Sequence, residues 1–367
     1  MPKKGHIRRV FPGGNTCKGF FSFYDYILSQ DEAKRIIVIK GGPGVGKSSF
    51  MKKIAEGMIE QGYDIEYMHC SSDNGSVDGI VIPALKVALV DGTAPHIVDP
   101  KNPGCVDEII HLGDYWNEEK MVKNKSEILK TNREIGESFK RAYRYLNASK
   151  SIYDDIEYFY NTATDYSKIN TAANEIINKI FTEIYRDNKL GKERHLFASA
   201  ITPDGLVNYI DTIYNKVKNI YIIKGDCKTA KSKILSKIAD YTVEYGLDCE
   251  IYHCALDPGT IEHILIPKLN TILITSNKYH NFDNIDRSQT IDTNQYLNYS
   301  ELSHNIVELN HGIEEFEGLL NHAVSILNYA KKMHDTLETY YIPSMDFNQV
   351  NNLMEKTKER IFNYANT

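Results

Sequence analysis

Apolar and polar positions change rhythm several times along this chain of 367 residues. Short apolar runs come first: Ile7 to Phe11, Ile37-Val38-Ile39, residues 64–70, and Val87-Ala88-Leu89-Val90 with its flanks Lys86 and Asp91. Bounded by turn formers, such runs read as buried strands. Between them the apolar residues fall on three- and four-residue steps, as from Phe50 to Ile59, which predicts helix. A helix is also expected between the first strand and the strand at 37–39. Strands alternating with helices predict βαβ units, right-handed crossovers and a mostly parallel sheet. Beyond residue 117 the rhythm stays helical. Ile128, Ile135, Phe139, Ala142, Leu146, Ser149, Tyr153, Ile156 and Tyr160 form a stripe that must be buried against a partner helix. Asp165 should end that helix, and another returns to Phe181.

The pattern then starts again. Ile37-Val38-Ile39-Lys40-Gly41 recurs as Tyr221-Ile222-Ile223-Lys224-Gly225, and Lys47-Ser48 as Lys231-Ser232, 184 residues later. His69-Cys70 against His253-Cys254, Asp73 against Asp257, Gly75 against Gly259 and His96 against His280 keep that register. Farther on the offset is 181: Leu146-Asn147 matches Leu327-Asn328, Asp154 matches Asp335, and Ile180-Phe181 matches Ile361-Phe362. The chain reads as a tandem duplication. Residues 1–190 form one α/β unit with a helical hairpin at about 117–185, and 191–367 form a second with a hairpin at about 297–365.

The chemistry lies between strand and helix. Gly41-Gly42-Pro43-Gly44-Val45-Gly46-Lys47-Ser48 is a complete G-x-x-x-x-G-K-[ST] phosphate loop, with Ser49 following, in the strand–loop–helix setting the motif requires. Its glycines let main-chain amides converge on phosphate oxygens, and the next helix points its positive end there. Lys47 is expected on the β/γ-phosphates and Ser48 on Mg²⁺. Asp91, ending an apolar strand as a Walker B acid does, is the candidate second metal ligand; Asp91-Gly92 is also a turn dipeptide. Asp73 could orient water or accept a hydroxyl proton, or cap a turn in Ser71-Ser72-Asp73-Asn74-Gly75. His69, Cys70 and His96 lack zinc-ligand spacing and read as packing or hydrogen-bonding residues. Arg8, Arg9, Arg141 and Arg144 are candidate partners for a terminal phosphate. Lys120, Lys123, Lys125 and Lys130 read as the exposed face of a helix.

The second loop departs from the first. In Gly225-Asp226-Cys227-Lys228-Thr229-Ala230-Lys231-Ser232 a Cβ replaces the glycine before lysine, and a carboxylate enters the cradle. Thr275 stands where Asp91 does. Both changes oppose anion and metal binding, so the second site reads as degenerate. Alternatively, Lys231 and Ser232 hold a nucleotide without hydrolysing it and regulate the first site.

Formal charge is −6, which excludes a global basic field for nucleic acid. Six scattered cysteines without a C-x-x-C pair, no apolar run long enough to span a bilayer and no apolar signal core predict a reduced, cytoplasmic protein. The 25 tyrosines against one tryptophan suit packing at helix faces.

The chain resembles a family of bacterial proteins with tandem P-loop ATPase-like, ATP-binding domains. The resemblance rests on Gly13-Gly14-Asn15-Thr16, the phosphate loop, His69 to Asp73, Asp91 to His96, Pro103 to Ile110 and Phe197 to Gly205. It implies two P-loop NTPase-like units and ATP as ligand. A weaker similarity joins Thr16 to Ile27 with the T-x-x-G segment and helix that precede the P-loop strand of RecA/KaiC-like ATPases. The leading expectation is a Mg-ATP-binding protein with slow or regulated ATPase activity. No glutamate adjoins Asp91 to activate water. The alternatives are a small-molecule or nucleotide kinase with Asp73 as base and Asp107 to Trp116 as a lid, and a nucleotide-gated protein whose hairpins engage a partner.

Overall fold

The computed structural model describes residues 4–94, 97–182, 184–226, 228–282, 285–286 and 288–366. The front half opens with β1 (Ile7–Val10), the hairpin β2 (Gly13–Thr16) and β3 (Gly19–Ser22), and β4 (Arg35–Lys40). Then come α1 (Lys47–Glu60), β5 (Ile65–His69), β6 (Val77–Ile82), β7 (Val87–Asp91) and β8 (Asp107–His111). Helices α2 (Glu118–Lys123), α3 (Lys125–Thr162) and α4 (Tyr166–Ile180) follow. The rear half repeats this order with β9 (Glu193–Leu196), β10 (Ser199–Thr202), β11 (Gly205–Asn208), a single turn α5 (Asp211–Tyr214) and β12 (Asn219–Lys224). It continues through α6 (Lys228–Glu244), β13 (Cys249–His253), β14 (Ile261–Ile266), β15 (Thr271–Ser276) and β16 (Ser288–Asp292). Helices α7 (Tyr299–His304), α8 (Ile306–Tyr341) and α9 (Phe347–Asn363) complete it.

Among the described residues the main sheets are two of six strands, ordered β1-β5-β6-β7-β4-β8 and β9-β13-β14-β15-β12-β16. Five strands of each are parallel. The exceptions, β6 and β14, are antiparallel to both neighbours. Each is joined to the next strand by a tight turn through a proline, with Lys86 or Asn270 in the left-handed region. That turn leaves no room for a crossover helix, which is why the direction reverses.

The helix expected before β4 is instead the β2–β3 hairpin and a short 3-10 turn at Tyr24–Tyr26. Thr16 and Gly19 make its corner. The Thr16 hydroxyl donates to Gly19 O (2.8 Å) and accepts from Lys18 N (3.0 Å), while Gly19 takes φ +90°. Only glycine adopts that conformation without steric cost, and the flanking phenylalanines favour strand. Likewise, Asp107–His111 is not a lid but an edge strand, whose buried Asp107 accepts from Lys101 N and Asn102 N.

The long helices do not close hairpins within their own halves. A helix of 38 residues rises about 57 Å, farther than one small core extends. So α3 runs past the front sheet and α8 past the rear one. They pack antiparallel, with Tyr145 against His322 (centroids 4.3 Å apart) and Tyr153 against Phe316 (5.0 Å). Beyond the crossing, Asp165 caps α4 by accepting from Ser167 N and Lys168 N. Helix α4 then buries Ile169, Ala173, Ile176 and Ile177 with Ile234, Leu235 and Ile238 of α6, in the rear core. Reciprocally, α9 buries Val350, Met354 and Ile361 with Phe50, Met51 and Ile54 of α1, in the front core. The opposite faces of both sheets share one apolar cluster, from Val38 and Val90 to Ile222 and Ile274. At its rim Phe11 and Phe197 exchange main-chain hydrogen bonds of 2.9 and 3.0 Å.

Candidate functional site

The front loop lies between the end of β4 and the start of α1, at the carboxyl edge of the parallel strands, where such sheets collect ligands. Gly44 and Gly46 take φ +66° and +92°, and Val45 between them is fully buried, pinning the loop to the core. Lys47 Nζ donates to the carbonyls of Gly41 and Gly42, each at 2.9 Å, and stands 3.5 Å from Asp91 Oδ2. Lys47 and Asp91 have side chains only 12 and 14% exposed. Asp91 Oδ1 accepts from Thr93 N (2.8 Å), so the acid is also the turn former its sequence suggested. Ser48 Oγ accepts from Val77 N (3.0 Å), while Ser49 is exposed. Among the described residues no side chain accepts a hydrogen bond from the amides of Gly42 to Gly46.

The rear loop is built differently. Helix α6 starts at Lys228, the counterpart of Gly44, whereas α1 starts only at Lys47. Without the two glycines, the residues through Ala230 join the helix instead of wrapping a ligand. The amides this exposes are taken: Glu157 of α3 accepts from Lys228 N (2.9 Å), Thr229 N (2.8 Å) and Thr229 Oγ1 (2.7 Å). A carboxylate from the other half thus stands on the helix N-terminus where a phosphate would. Lys231 is buried and donates to Gly225 O. Asp226 turns away to Asn294, and Thr275 is buried beside His263. Ser232 is partly buried, and Cys227 lies outside the described residues.

Elements from the opposite half cover both loops. The end of α8 lies on the front loop, so that a Cβ on Gly42 would meet the Tyr341 ring at 2.5 Å, and one on Gly44 would meet Ile342 and Glu338 at 3.0 and 3.2 Å. Lys331 of α8 reaches Asp73 Oδ2 (3.7 Å), as Lys150 of α3 reaches Asp257 Oδ2 (3.6 Å). Asp73 also accepts from Gly75 N and Ser76 Oγ, a turn-capping geometry. Sequence reasoning missed Glu157, Glu338, Lys150, Lys331 and Tyr341 as site residues. A signal existed, because Lys150/Lys331, Glu157/Glu338 and Tyr160/Tyr341 are identical pairs at the 181-residue offset.

Among the described residues, none of the arginines singled out in the sequence forms a hydrogen bond or ion pair with the front loop. Arg8 joins Arg194, Glu66 and Glu250 in a buried quartet between the two sheets. Burial alone would raise Glu250, but Arg8 and Arg194 outweigh it and hold that carboxyl at about 2. Arg9 lies over Tyr67 and bonds His69 Nε2 at 2.8 Å, and Arg141 and Arg144 are exposed on α3. His69 and His253 pack among aromatic rings, where burial, then Arg9 for His69 and His195 for His253, lower them to about 4. His96 lies outside the described residues. Among the described residues no helix is long and apolar enough to cross a membrane.

Parallel sheets with a glycine loop at their carboxyl edge, lysine and serine opening the next helix, and a strand-end acid beside that lysine define a P-loop nucleotide-binding protein. More narrowly, the KAP family P-loop domain matches residues 20–361, and the chain belongs to that family. No curated protein and no solved structure matches it.

Proposed function

We propose that this KAP-family chain binds Mg-ATP at the front loop alone, and that turnover there is slow and gated by the end of α8. The observation that carries the reading is the fate of the loop amides. At the rear they are satisfied by Glu157, while at the front they have no side-chain acceptor and are lined by glycines. A ligand that competes with an internal carboxylate loses the differential affinity that an open cradle supplies. Ser48 and Asp91 would hold Mg²⁺; a hydroxyl and a carboxylate are the hard oxygen donors it takes, with phosphate and water completing the shell. Bound there, the ion would neutralise charge on the terminal phosphates.

Lys47 and Asp91 then have complementary tasks, the lysine on the phosphate oxygens and the acid on the metal. Lys331, delivered from the other half and paired there with Asp73 and Asp335, is a candidate in-chain charge stabiliser. The cover formed by Tyr341 and Ile342 favours a second reading, a switch in which nucleotide binding lifts α8 and exposes a face for a protein partner. The two units of the duplication would then divide the work, front for nucleotide and rear for control.

Calorimetric titration with Mg-ATP separates these. Lys47→Ala is expected to lose binding by about a hundredfold or more, and Lys231→Ala to change it less than about twofold. Equal losses in both variants would remove the asymmetry on which the proposal stands. Phosphate release that disappears in Lys47→Ala supports turnover; tight binding without release supports the switch.

A further inference from the structure

A cavity of about 410 Å³ opens at the carboxyl edge of the rear sheet, between β14, β15, the β10–β11 hairpin and α8. Its walls are apolar, built from Ile201, Leu206, Leu256, Phe316, Leu320 and Val324, and Tyr153 of α3 closes one side. Lys228 and Glu262 stand among its polar lining. Size, apolar walls and a few convergent polar groups are the marks of a small-molecule site.

The front half supplies an internal control, because the same scaffold carries bulkier residues there. At the 181-residue offset Val324 corresponds to Tyr143 and Leu320 to Phe139; 186 residues separate Tyr24 from Ile210, as they separate β2 from β10. Tyr143 OH donates to Asn15 Oδ1 (3.1 Å), and Tyr24 OH donates to buried Asp78, the counterpart of Glu262 (2.7 Å). Two tyrosines therefore reach inward at the front where the rear carries Val324 and Ile210.

The charges say which head group fits. Glu262 accepts from Ser199 Oγ (3.2 Å) and lies 3.4 Å from His280 Nε2. Asp257 already accepts from Gly259 N and Thr260 Oγ1 and has Lys150 beside it. Lys228 is different. Its side chain is 17% exposed, its ammonium lies 5.3 Å from the Tyr153 ring centre, and its nearest carboxylate oxygen is 3.7 Å away on Asp257. Asp257 is shared with Lys150 (3.6 Å), and both ion pairs are longer than a hydrogen bond; among the described residues no hydrogen bond satisfies the Lys228 ammonium, and an anion within hydrogen-bond reach would complete it.

We propose that this cavity binds a small amphipathic monoanion, its apolar body against Leu206, Leu256, Phe316 and Leu320 and its carboxylate or sulfonate on Lys228. The site is independent of nucleotide at the front loop. Fluorescence titration of the full chain with 8-anilinonaphthalene-1-sulfonate tests it, beside the uncharged N-phenyl-1-naphthylamine. The chain should bind one equivalent of the sulfonate. Val324→Tyr and, separately, Leu320→Phe, each copying the front residue, should weaken both dyes about tenfold. Lys228→Met should weaken the sulfonate about tenfold and leave the neutral dye unchanged. Should Val324→Tyr lower the unfolding midpoint, the smaller Leu320→Phe change decides the matter. Sulfonate affinity that is the same in the filling variants as in the parent overturns the cavity as the site. Sulfonate affinity unaffected by Lys228→Met overturns the anionic head.

Discussion

Glu157 shows how much one side chain can decide. Its carboxylate caps α6 from a different element, satisfying two amides and a hydroxyl that would otherwise be orphaned. Glu157→Ala is therefore expected to cost about 1–3 kcal/mol in urea unfolding, while Mg-ATP affinity at the front loop stays unchanged. A fall in front-loop affinity comparable to that of Lys47→Ala would contradict this division. The buried histidines act with the opposite sign of charge. His69, His253 and His263 sit near 4 because burial disfavours their charged forms. The unfolded chain thus binds more protons than the folded one between pH 6.5 and about 4. Stability should fall steadily as pH drops through that window, read as a decreasing urea midpoint. His69→Gln should flatten the slope.

Among the elements, α8 is the one proposed to govern access. Its end lies on Gly42 and Gly44 through Tyr341, Ile342 and Glu338. A loop that must shed this cover binds with an affinity reduced by the uncovered fraction. Tyr341→Ala is expected to tighten Mg-ATP about three- to tenfold by calorimetry, and a weaker complex would show that the ring supports the ligand instead. Element by element, legibility followed locality. The phosphate loop, α1, β4, β5, β7 and the helix stripes were visible because period and punctuation are local signals. The β2–β3 hairpin was not, since Phe20 and Phe21 look alike in a helix and a strand and only the turn at Gly19 decides. Strand β6 was not foreseen, because Asp78 and Gly79 interrupt the apolar run of Val77–Ile82 and Pro83 follows it at once. The destination of α4 and α9 was invisible: an apolar stripe announces that it needs a partner, not which one. For the same reason Lys331 and Glu157 stood in the sequence as repeated residues without a site.

At the scale of the whole molecule the two halves are interleaved. Main-chain bonds stitch each exchange, with Asn117 N donating to Ser344 O (2.7 Å) and Asn298 N to Ala163 O (2.7 Å). Residues 1–190 made alone would leave Phe50, Met51 and Ile54 without α9 and α4 without its core. Such a fragment is expected to show no cooperative thermal transition by circular dichroism, and a sharp transition would mean that α4 can fold back on α1. The interleaving also sets a schedule for synthesis on the ribosome. The front loop is translated about three hundred residues before α9, the helix that closes its core. A nascent chain would therefore acquire its finished nucleotide pocket only once α9 has emerged, so that ligand capture would mark a polypeptide extended through that helix.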